Sequence, residues 1–246
     1  MSRYPRPTSG ISYSFGPGPM TPAVKWIIIA NIGAYLVTLI YSPLLHVFGL
    51  SPEDVLERGW LWQPVTYLFM HAGMFHILFN MLGIWMFGVE LERRWGTQFF
   101  LQYYGVTGLG AAATVIMVGL LPFEATASTY QVTTVGASGA LYGLLMAYAI
   151  YYPERPILLM MIFPVPAKYF VMIIGAIAFL SGPGGGVSNA AHLGGLLFGY
   201  LYLSNGRGGG LTAEIKYRYL KWKMNRLRRK FDVYSGGRTD YDRKIH

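Results

Sequence analysis

The sequence of 246 residues contains no cysteine, which excludes a disulfide framework, a thiolate metal site and a cysteine nucleophile. Charged residues are also scarce, at 13% of the chain against about 25% in a typical soluble domain. Hydrophobic residues make up 53% of the chain, so the composition points away from a soluble protein.

The net charge of +9 is concentrated at one end of the chain. Residues 205–246 hold 12 basic and 4 acidic residues, whereas residues 1–204 hold 8 basic and 7 acidic residues. Aromatic and leucine residues alternate with the basic ones, which is typical of a helix lying on anionic lipid headgroups. The alternative is a solvated charge that only fixes membrane topology. No nucleic-acid-binding motif accompanies the charge, so we expect no nucleic-acid partner.

Long charge-free windows indicate membrane spans. Each exceeds the roughly 20 residues that a helix needs to cross a bilayer core of about 30 Å. The last window is interrupted at 181–186 by Ser-Gly-Pro-Gly-Gly-Gly, which cannot sustain a helix. We therefore predict an all-α, polytopic bundle of six transmembrane helices, near residues 24–45, 67–89, 97–121, 136–152, 166–181 and 188–204.

Three regions follow from these spans. Residues 1–23 are rich in Pro, Gly and Ser and predict a disordered arm, residues 24–204 form the bundle, and residues 205–246 form the basic tail. The first loop, residues 46–66, is rich in tryptophan and suits a segment at the membrane interface.

The basic residues also predict an orientation. If both termini are cytoplasmic, 19 of the 20 basic residues lie inside and only Arg58 lies outside, in agreement with the positive-inside rule. No cleavable signal or transit segment is evident at the amino terminus, so a bacterial plasma (inner) membrane is the expected location.

Few polar side chains interrupt the predicted spans, and such residues usually face the bundle interior and are functional candidates. They occur near the outer ends of the second, fourth and sixth spans: His71, His76, Asn80, Ser138, Tyr142, Asn189 and His192. These three helices run in the same direction across the membrane. Their polar groups therefore lie at one depth.

Ser138 and His192 are the strongest pair among these residues. Their helices each carry two glycines four residues apart, which allow close backbone approach: Gly139 with Gly143, and Gly195 with Gly199. At hydrogen-bond distance, a histidine can act as the general base for a serine nucleophile. Since the spans offer no carboxylate to orient the imidazole, we expect a Ser-His dyad with Tyr142 packed against the ring.

Donors for a developing oxyanion are present at the same depth. His76 and Asn80 lie four residues apart and therefore share a helix face. Together with the backbone N–H of Ser138, near a helix amino terminus, they could stabilise a tetrahedral intermediate.

These residues lie in strings that resemble the motifs of the rhomboid intramembrane serine proteases, and the resemblance extends from Trp62 to Gly199. The strings similar to the family's His-xxx-Asn, Gly-x-Ser-Gly and Ala-His-xx-Gly are "HILFN" at 76–80, "GASG" at 136–139 and "AHLGG" at 191–195. Gly136 is the first residue of the Gly-x-Ser-Gly string.

The resemblance implies that Ser138 is the nucleophile and His192 the base. It also implies that His76 and Asn80 stabilise the oxyanion and that Tyr142 stacks on the catalytic histidine. The family fold and activity then imply hydrolysis of a peptide bond in or near a transmembrane helix of a substrate. Single-span or other membrane proteins would be the substrates, and neither a metal nor another cofactor would be required.

The resemblance also bears on positions outside the catalytic pair. His71 resembles a histidine upstream of the second helix, with a structural role favoured, and Asn189 either caps the sixth helix or adjoins the site. Glu92 and Gly96 resemble structural positions at the end of the second helix. The family's Trp-Arg pair in the first loop is replaced by Trp62-Gln63, so the role of that arginine does not carry over.

Two other functions compete with proteolysis. A catalytically silent rhomboid-like protein would bind membrane clients and steer their fate, although such proteins usually lack the nucleophile or the base. A small transporter would place its site between broken helices near the midplane, which the polar layer near one face disfavours.

For a protease, we expect a polar cavity lined by His71, His76, Asn80 and Asn189 to admit water, under a mobile cap at 181–186.

Overall fold

The structure is a computed structural model that describes residues 16–159, 162–181 and 188–204, with residues 220, 221, 223, 224 and 226 of the tail. Most of the predicted tail and the first 15 residues lie outside this part. The α-helices of the described chain are α1 (Pro22–Ile40), α2 (Leu44–Phe48), α3 (Pro52–Glu57), α4 (Gln63–Thr66), α5 (Met74–Gly83), α6 (Val89–Trp95), α7 (Thr97–Gly119), α8 (Glu124–Gln131), α9 (Ser138–Tyr151), α10 (Ala167–Leu180) and α11 (Ser188–Ser204).

Within the described residues, three helices are long and apolar enough to cross a membrane. They are α1, the continuous helix Met74–Trp95 and α7, while α9 and α10 are shorter apolar helices. The helix Met74–Trp95 consists of α5, a single π-helical segment at Ile84–Gly88, and α6. It ends at Gly96, whose φ of 79° lies in the region that favours glycine and lets α7 begin at once.

The first two helices differ from the predicted spans. α1 ends at Ile40 and not near 45, because Pro43 follows and a separate short helix starts at Leu44. The second long helix begins at Met74 and not near 67, since Tyr67–Phe69 form a 3₁₀ turn and Gly73 is extended. It also continues past residue 89 to Trp95.

A hairpin that the all-α prediction missed connects α9 to α10. Strand β1 (Pro156–Leu159) pairs antiparallel with strand β2 (Phe163–Pro166), with Pro156 opposite Pro166. The segment between the two spans is an apolar run without the Gly or Asn that usually marks a hairpin turn, so its pattern gave no strand signal. The predicted bounds of the last two spans lie within one residue of α10 and α11.

Helix α7 forms the centre of the helical packing and contacts α1, α4, α6, α8 and α9. Small residues on α7 allow this approach: a Cβ at Gly108 would meet Leu68, and one at Gly110 would overlap Phe198 of α11. Buried tyrosines tie the neighbours together, since the Tyr67 hydroxyl donates to the Gly108 carbonyl at 2.8 Å. The Tyr103 hydroxyl donates to the Gly143 carbonyl at 2.7 Å.

Glu92 joins the end of α6 to the start of α1. Its carboxylate accepts backbone N–H groups of Ala23 at 3.0 Å and Val24 at 3.1 Å, and the Thr97 hydroxyl donates to it at 2.7 Å. The side chain is only 2% exposed. A helix amino terminus has unpaired N–H groups and a positive dipole end, so a carboxylate satisfies both. These partners stabilise a buried carboxylate in the part of the helix that extends beyond residue 89, the predicted end of the second span.

The described residues that precede α1 are hydrogen-bonded to α6, whereas the sequence predicts a disordered arm up to residue 23. The guanidinium of Arg93 donates to the carbonyls of Pro17 at 2.5 Å and Pro19 at 2.8 Å. The described residues 16–21 therefore pack beside α6 before α1 begins.

We expect Glu92→Gln to lower the free energy of unfolding by about 2 kcal/mol, because it removes charge-assisted hydrogen bonds from a buried helix end. Glu154→Gln is the matched control, since the Glu154 side chain is 71% exposed and forms a surface ion pair with Lys168. Thermal unfolding in detergent micelles measures both variants. Equal midpoints for the two variants would contradict the anchoring role of Glu92.

Candidate active site

Ser138 and His192 form a hydrogen-bonded pair. Ser138 is the first residue of α9, and His192 lies in the first turns of α11. The Ser138 Oγ and His192 Nε2 atoms are 2.9 Å apart, and both side chains are half-buried. This distance is within the range for direct proton transfer between a hydroxyl and an imidazole.

Tyr142 stacks on the imidazole of His192. The two ring centroids are 4.0 Å apart and the ring planes are parallel, with an interplanar angle of 0°. Among the residues that the structure describes, no carboxylate forms an ion pair with His192. The tyrosine ring is therefore the contact that restricts rotation of the imidazole.

A direct backbone contact between α9 and α11 brings the two side chains together. A Cβ at Gly195 would overlap the carbonyl oxygen of Gly139, and a Cβ at Gly199 would lie 3.1 Å from the Gly143 Cα. Gly143 also faces α7, where a Cβ would lie 2.5 Å from the Thr107 Cβ. Only glycine permits this crossing without displacing a helix.

The segment before Ser138 is fixed by backbone pairing to the first loop. Leu50 and Thr134 exchange both backbone hydrogen bonds, at 2.8 and 2.7 Å, and the Gly136 N–H donates to the Tyr67 carbonyl at 2.9 Å. Gly136 has a φ of 119°, and a Cβ there would lie 2.6 Å from His76 Nε2. Glycine is required at this position both by its conformation and by the ring beside it.

His76 and Asn80 lie on α5 beside this segment. The His76 ring approaches Gly136, two residues before Ser138. Asn80 is buried, and its Nδ2 donates to the His76 carbonyl at 2.8 Å, which leaves its second N–H available. The Asn80 Oδ1 is buried and has no partner among the described residues.

His71 does not lie on the second helix as predicted, because α5 begins three residues later. It is 1% exposed, its Nδ1 lies 3.4 Å from the Phe69 carbonyl, and its ring packs edge-on against His76 with centroids 4.9 Å apart. Within the described part of the chain, its Nε2 has no hydrogen-bond partner. His71 is therefore a buried neighbour of His76.

Two further expectations stay open. Asn189 lies in the first turn of α11, three residues before His192, and is half-buried, so both its capping role and a role at the site stay predictions. The predicted cap at 181–186 lies outside the described residues apart from Ser181.

Gln63, which replaces the family's arginine in the first loop, is fully buried at the centre of that loop. Its Oε1 accepts the Ser51 N–H at 3.0 Å, and its Nε2 donates to the His46 carbonyl at 3.2 Å. The uncharged amide therefore satisfies loop backbone groups on both sides. The sequence marked this position as a departure but gave no sign of this network.

Tyr67 was not among the predicted site residues. Its carbonyl accepts the N–H of Gly136, and its hydroxyl bonds to α7, so it links the first loop, α7 and the segment that precedes Ser138. Only its place in an apolar run was visible in the sequence.

No group of three or more His, Cys, Asp or Glu side chains that could hold a metal ion occurs within the described residues. The chemical groups at the site are thus a hydroxyl, three imidazoles, an amide and backbone N–H groups. This set can perform nucleophilic attack and general acid–base catalysis.

A family model described as the Rhomboid domain matches residues 58–205, which is more than half of the chain. The matched segment includes α4 to α11 and both members of the Ser138–His192 pair. It begins after α1 and the first part of the first loop.

Curated relatives show the same similarity at low identity. Rhomboid protease AarA of Providencia stuartii is 28% identical over 193 residues, which are 71% of this chain and 69% of AarA. Rhomboid protease GluP of Bacillus subtilis is 29% identical over 157 residues, 63% of this chain but 28% of GluP. RHOMBOID-like protein 2 of Arabidopsis thaliana is 30% identical over 203 residues, 78% of this chain and 56% of the relative. The chain thus spans about two thirds of AarA and smaller fractions of the other two proteins.

We expect Gly195→Ala to lower the free energy of unfolding by about 2 kcal/mol or more, because the added methyl group must separate α9 from α11. Gly105→Ala is the matched control on α7, since a Cβ there meets nothing within 4 Å. The control should be neutral or more stable by up to about 1 kcal/mol, as alanine favours helix. Thermal unfolding in micelles distinguishes them, and unchanged stability of Gly195→Ala would contradict the close crossing.

Proposed function

This chain belongs to the rhomboid family, and on that basis we propose that it is an intramembrane serine endopeptidase that cleaves membrane proteins. The observation that carries the proposal is the 2.9 Å contact between Ser138 Oγ and His192 Nε2. Two of its relatives are named rhomboid proteases, which supports the same reaction class.

In the proposed reaction, Ser138 Oγ attacks the carbonyl carbon of the scissile peptide bond while His192 Nε2 takes the hydroxyl proton. As the new C–O bond forms, the π electron pair of the carbonyl moves to its oxygen, which becomes the oxyanion of a tetrahedral intermediate. Its collapse breaks the C–N bond, and His192 transfers the proton to the leaving amine. A water molecule, deprotonated by His192, then hydrolyses the acyl-enzyme and restores Ser138.

The proposed oxyanion donors surround the start of α9. The Ser138 backbone N–H lies in the first turn of a helix, where N–H groups have no intrahelical partner and the dipole favours negative charge. His76 and the second N–H of Asn80 would donate from α5. Losing one such donor in an acyl-transfer enzyme typically costs about 3 kcal/mol of transition-state stabilisation.

In the proposed reaction, Tyr142 orients the imidazole of His192, which is the role of the carboxylate in a Ser-His-Asp catalytic triad. The parallel stacking at 4.0 Å limits the imidazole to one plane, with Nε2 directed at Ser138. Tyr142 is on the same face of α9 as Ser138, one helical turn away, so a single helix holds both the nucleophile and the positioning ring.

The proposed membrane arrangement has six crossings, formed by α1, the helix Met74–Trp95, α7, α9, α10 and α11. With both termini in the cytoplasm, Ser138 lies near the outer face, and a polar cavity beside His71, His76 and Asn80 would supply water. A substrate helix must unwind before attack, because its carbonyls are already hydrogen-bonded. We propose a bacterial plasma membrane as the location and anionic lipid contact for the basic tail.

The alternative is a catalytically silent member of the family that binds membrane clients. Several relatives are named only rhomboid-like, and the identity to the named proteases is below 30%. Client binding that is equal in the wild type and in Ser138→Ala, with no cleavage product from either, would favour this alternative.

We expect Ser138→Ala and His192→Ala each to reduce cleavage by at least about a thousandfold, since members of a catalytic pair act as a unit. A single-span substrate reconstituted with the purified protein in liposomes, and followed by gel analysis of its fragments, gives the measurement. Ser42→Ala, which removes an exposed serine outside the site, should retain wild-type activity. Cleavage by Ser138→Ala at the wild-type rate would refute the proposed nucleophile.

We expect Tyr142→Phe to keep nearly full activity, because the stacking ring remains. Tyr142→Leu should lower kcat about tenfold, the size of a lost aromatic contact, with little change in KM. Steady-state kinetics on the same substrate separates the two parameters. A large loss in Tyr142→Phe would show instead that the hydroxyl, and not the ring, is required.

A further inference from the structure

A second polar site lies at the opposite end of α9 from Ser138. A shallow cavity of about 360 Å³, open over most of its surface, is lined by Glu90, Arg93, Arg94 and Tyr152. Ser138 begins α9 and Tyr152 follows its last residue, so about 20 Å of helix separates the two sites. The cavity therefore has no part in the proposed proteolytic chemistry.

Aromatic rings contact two guanidinium groups, that of Arg94 in the lining of this cavity and that of Arg155 beside it. The Arg94 Cζ lies 4.4 Å from the centroid of the Tyr151 ring and 5.8 Å from that of Tyr152. The Arg155 Cζ lies 4.7 Å from the centroid of Tyr152. A guanidinium that stacks by its face keeps its N–H edge available for a planar or tetrahedral oxyanion. This applies to Arg94, because Arg155 already donates to Glu90 and Tyr148.

The positive charge here is not neutralised by the nearby carboxylates. Glu90 pairs with Arg155, and Glu92 is occupied by the amino terminus of α1. Arg93 donates to backbone carbonyls, which carry no formal charge. Within the described residues, Arg94 forms no ion pair with a carboxylate. The cavity thus has a local excess of positive charge that fits an anion.

The position of the cavity relative to the membrane indicates which kind of anion it binds. Arg93 and Arg94 lie in the last turn of the 22-residue apolar helix Met74–Trp95. A helix of this length spans the hydrocarbon core, so its last turn lies at the level of the lipid phosphates. Trp26, which is 66% exposed in the first turns of α1, lies at the same end and suits the interfacial aromatic belt.

We propose that this cavity binds the phosphate of an anionic phospholipid, with the Arg94 guanidinium as the ligand. Arg93 and Arg155, whose N–H groups are bonded to backbone carbonyls and to Glu90, add positive charge beside it. Tyr151 and Tyr152 hold the guanidinium groups in place, and lipid chains extend along the adjacent apolar helices. Basic pockets between membrane helices are an established way to recognise anionic headgroups. This proposal does not rest on the proposed protease activity.

The test is native mass spectrometry of the full-length protein released from neutral detergent micelles, with phosphatidylglycerol titrated against phosphatidylcholine. We expect wild type to retain phosphatidylglycerol selectively, and Arg94→Gln to bind it roughly tenfold more weakly, since it loses a charge and a bidentate contact. Lys25→Gln is the matched control, because it removes one exposed positive charge from the same end without contacting the cavity.

The outcomes separate the explanations. Weakening in Arg94→Gln but not in Lys25→Gln supports the site, whereas equal weakening in both variants overturns it in favour of diffuse attraction. Displacement of the lipid by millimolar inorganic phosphate, or equal retention of phosphatidylcholine, overturns the lipid assignment. Thermal midpoints in lipid-free micelles, compared between Arg94→Gln and wild type, establish that the variant is folded when binding is measured.

Discussion

The backbone contact between α9 and α11 is the constraint on which the arrangement depends. Gly195 lies against the Gly139 carbonyl, and this crossing occurs one residue after Ser138 and three residues after His192. Any side chain larger than hydrogen at Gly195 would separate the two helices and lengthen the Ser138–His192 hydrogen bond. The same crossing leaves room for Tyr142 to stack on the imidazole, so three side chains obtain their geometry from one contact between main chains.

Three polar groups in and around the helices have specific partners, which matter because hydrocarbon offers none. Glu92 accepts N–H groups at the start of α1, and Gln63 bonds backbone groups of Ser51 and His46 in the first loop. The Tyr67 carbonyl accepts the N–H of Gly136. The bond from Gly136 to the Tyr67 carbonyl and the Leu50–Thr134 pairing connect the first loop to the segment that precedes Ser138. The loop that resembles an interfacial appendage in sequence therefore supports the position of the proposed nucleophile.

Patterns that depend on local sequence predicted the structure better than those that depend on distant contacts. The predicted bounds of the last two spans lie within one residue of α10 and α11, since glycine-rich and charged segments separate them. The second span differs from the observed helix at both ends: its start depends on the extended Gly73, and the helix continues past Glu90 to Trp95, with Glu92 bonded to the start of α1. Gln63 and Tyr67 could not be assigned from sequence, since their partners lie on other elements.

The central claim is that His192 activates Ser138 within the membrane protein. The most direct measurement is to react the reconstituted protein with a serine-reactive fluorophosphonate and to locate the adduct by mass spectrometry. If the claim is right, the adduct forms on Ser138 in the wild type and is lost in His192→Ala. Labelling of Ser138 at an equal rate without His192, or an adduct only on a different serine, would contradict it.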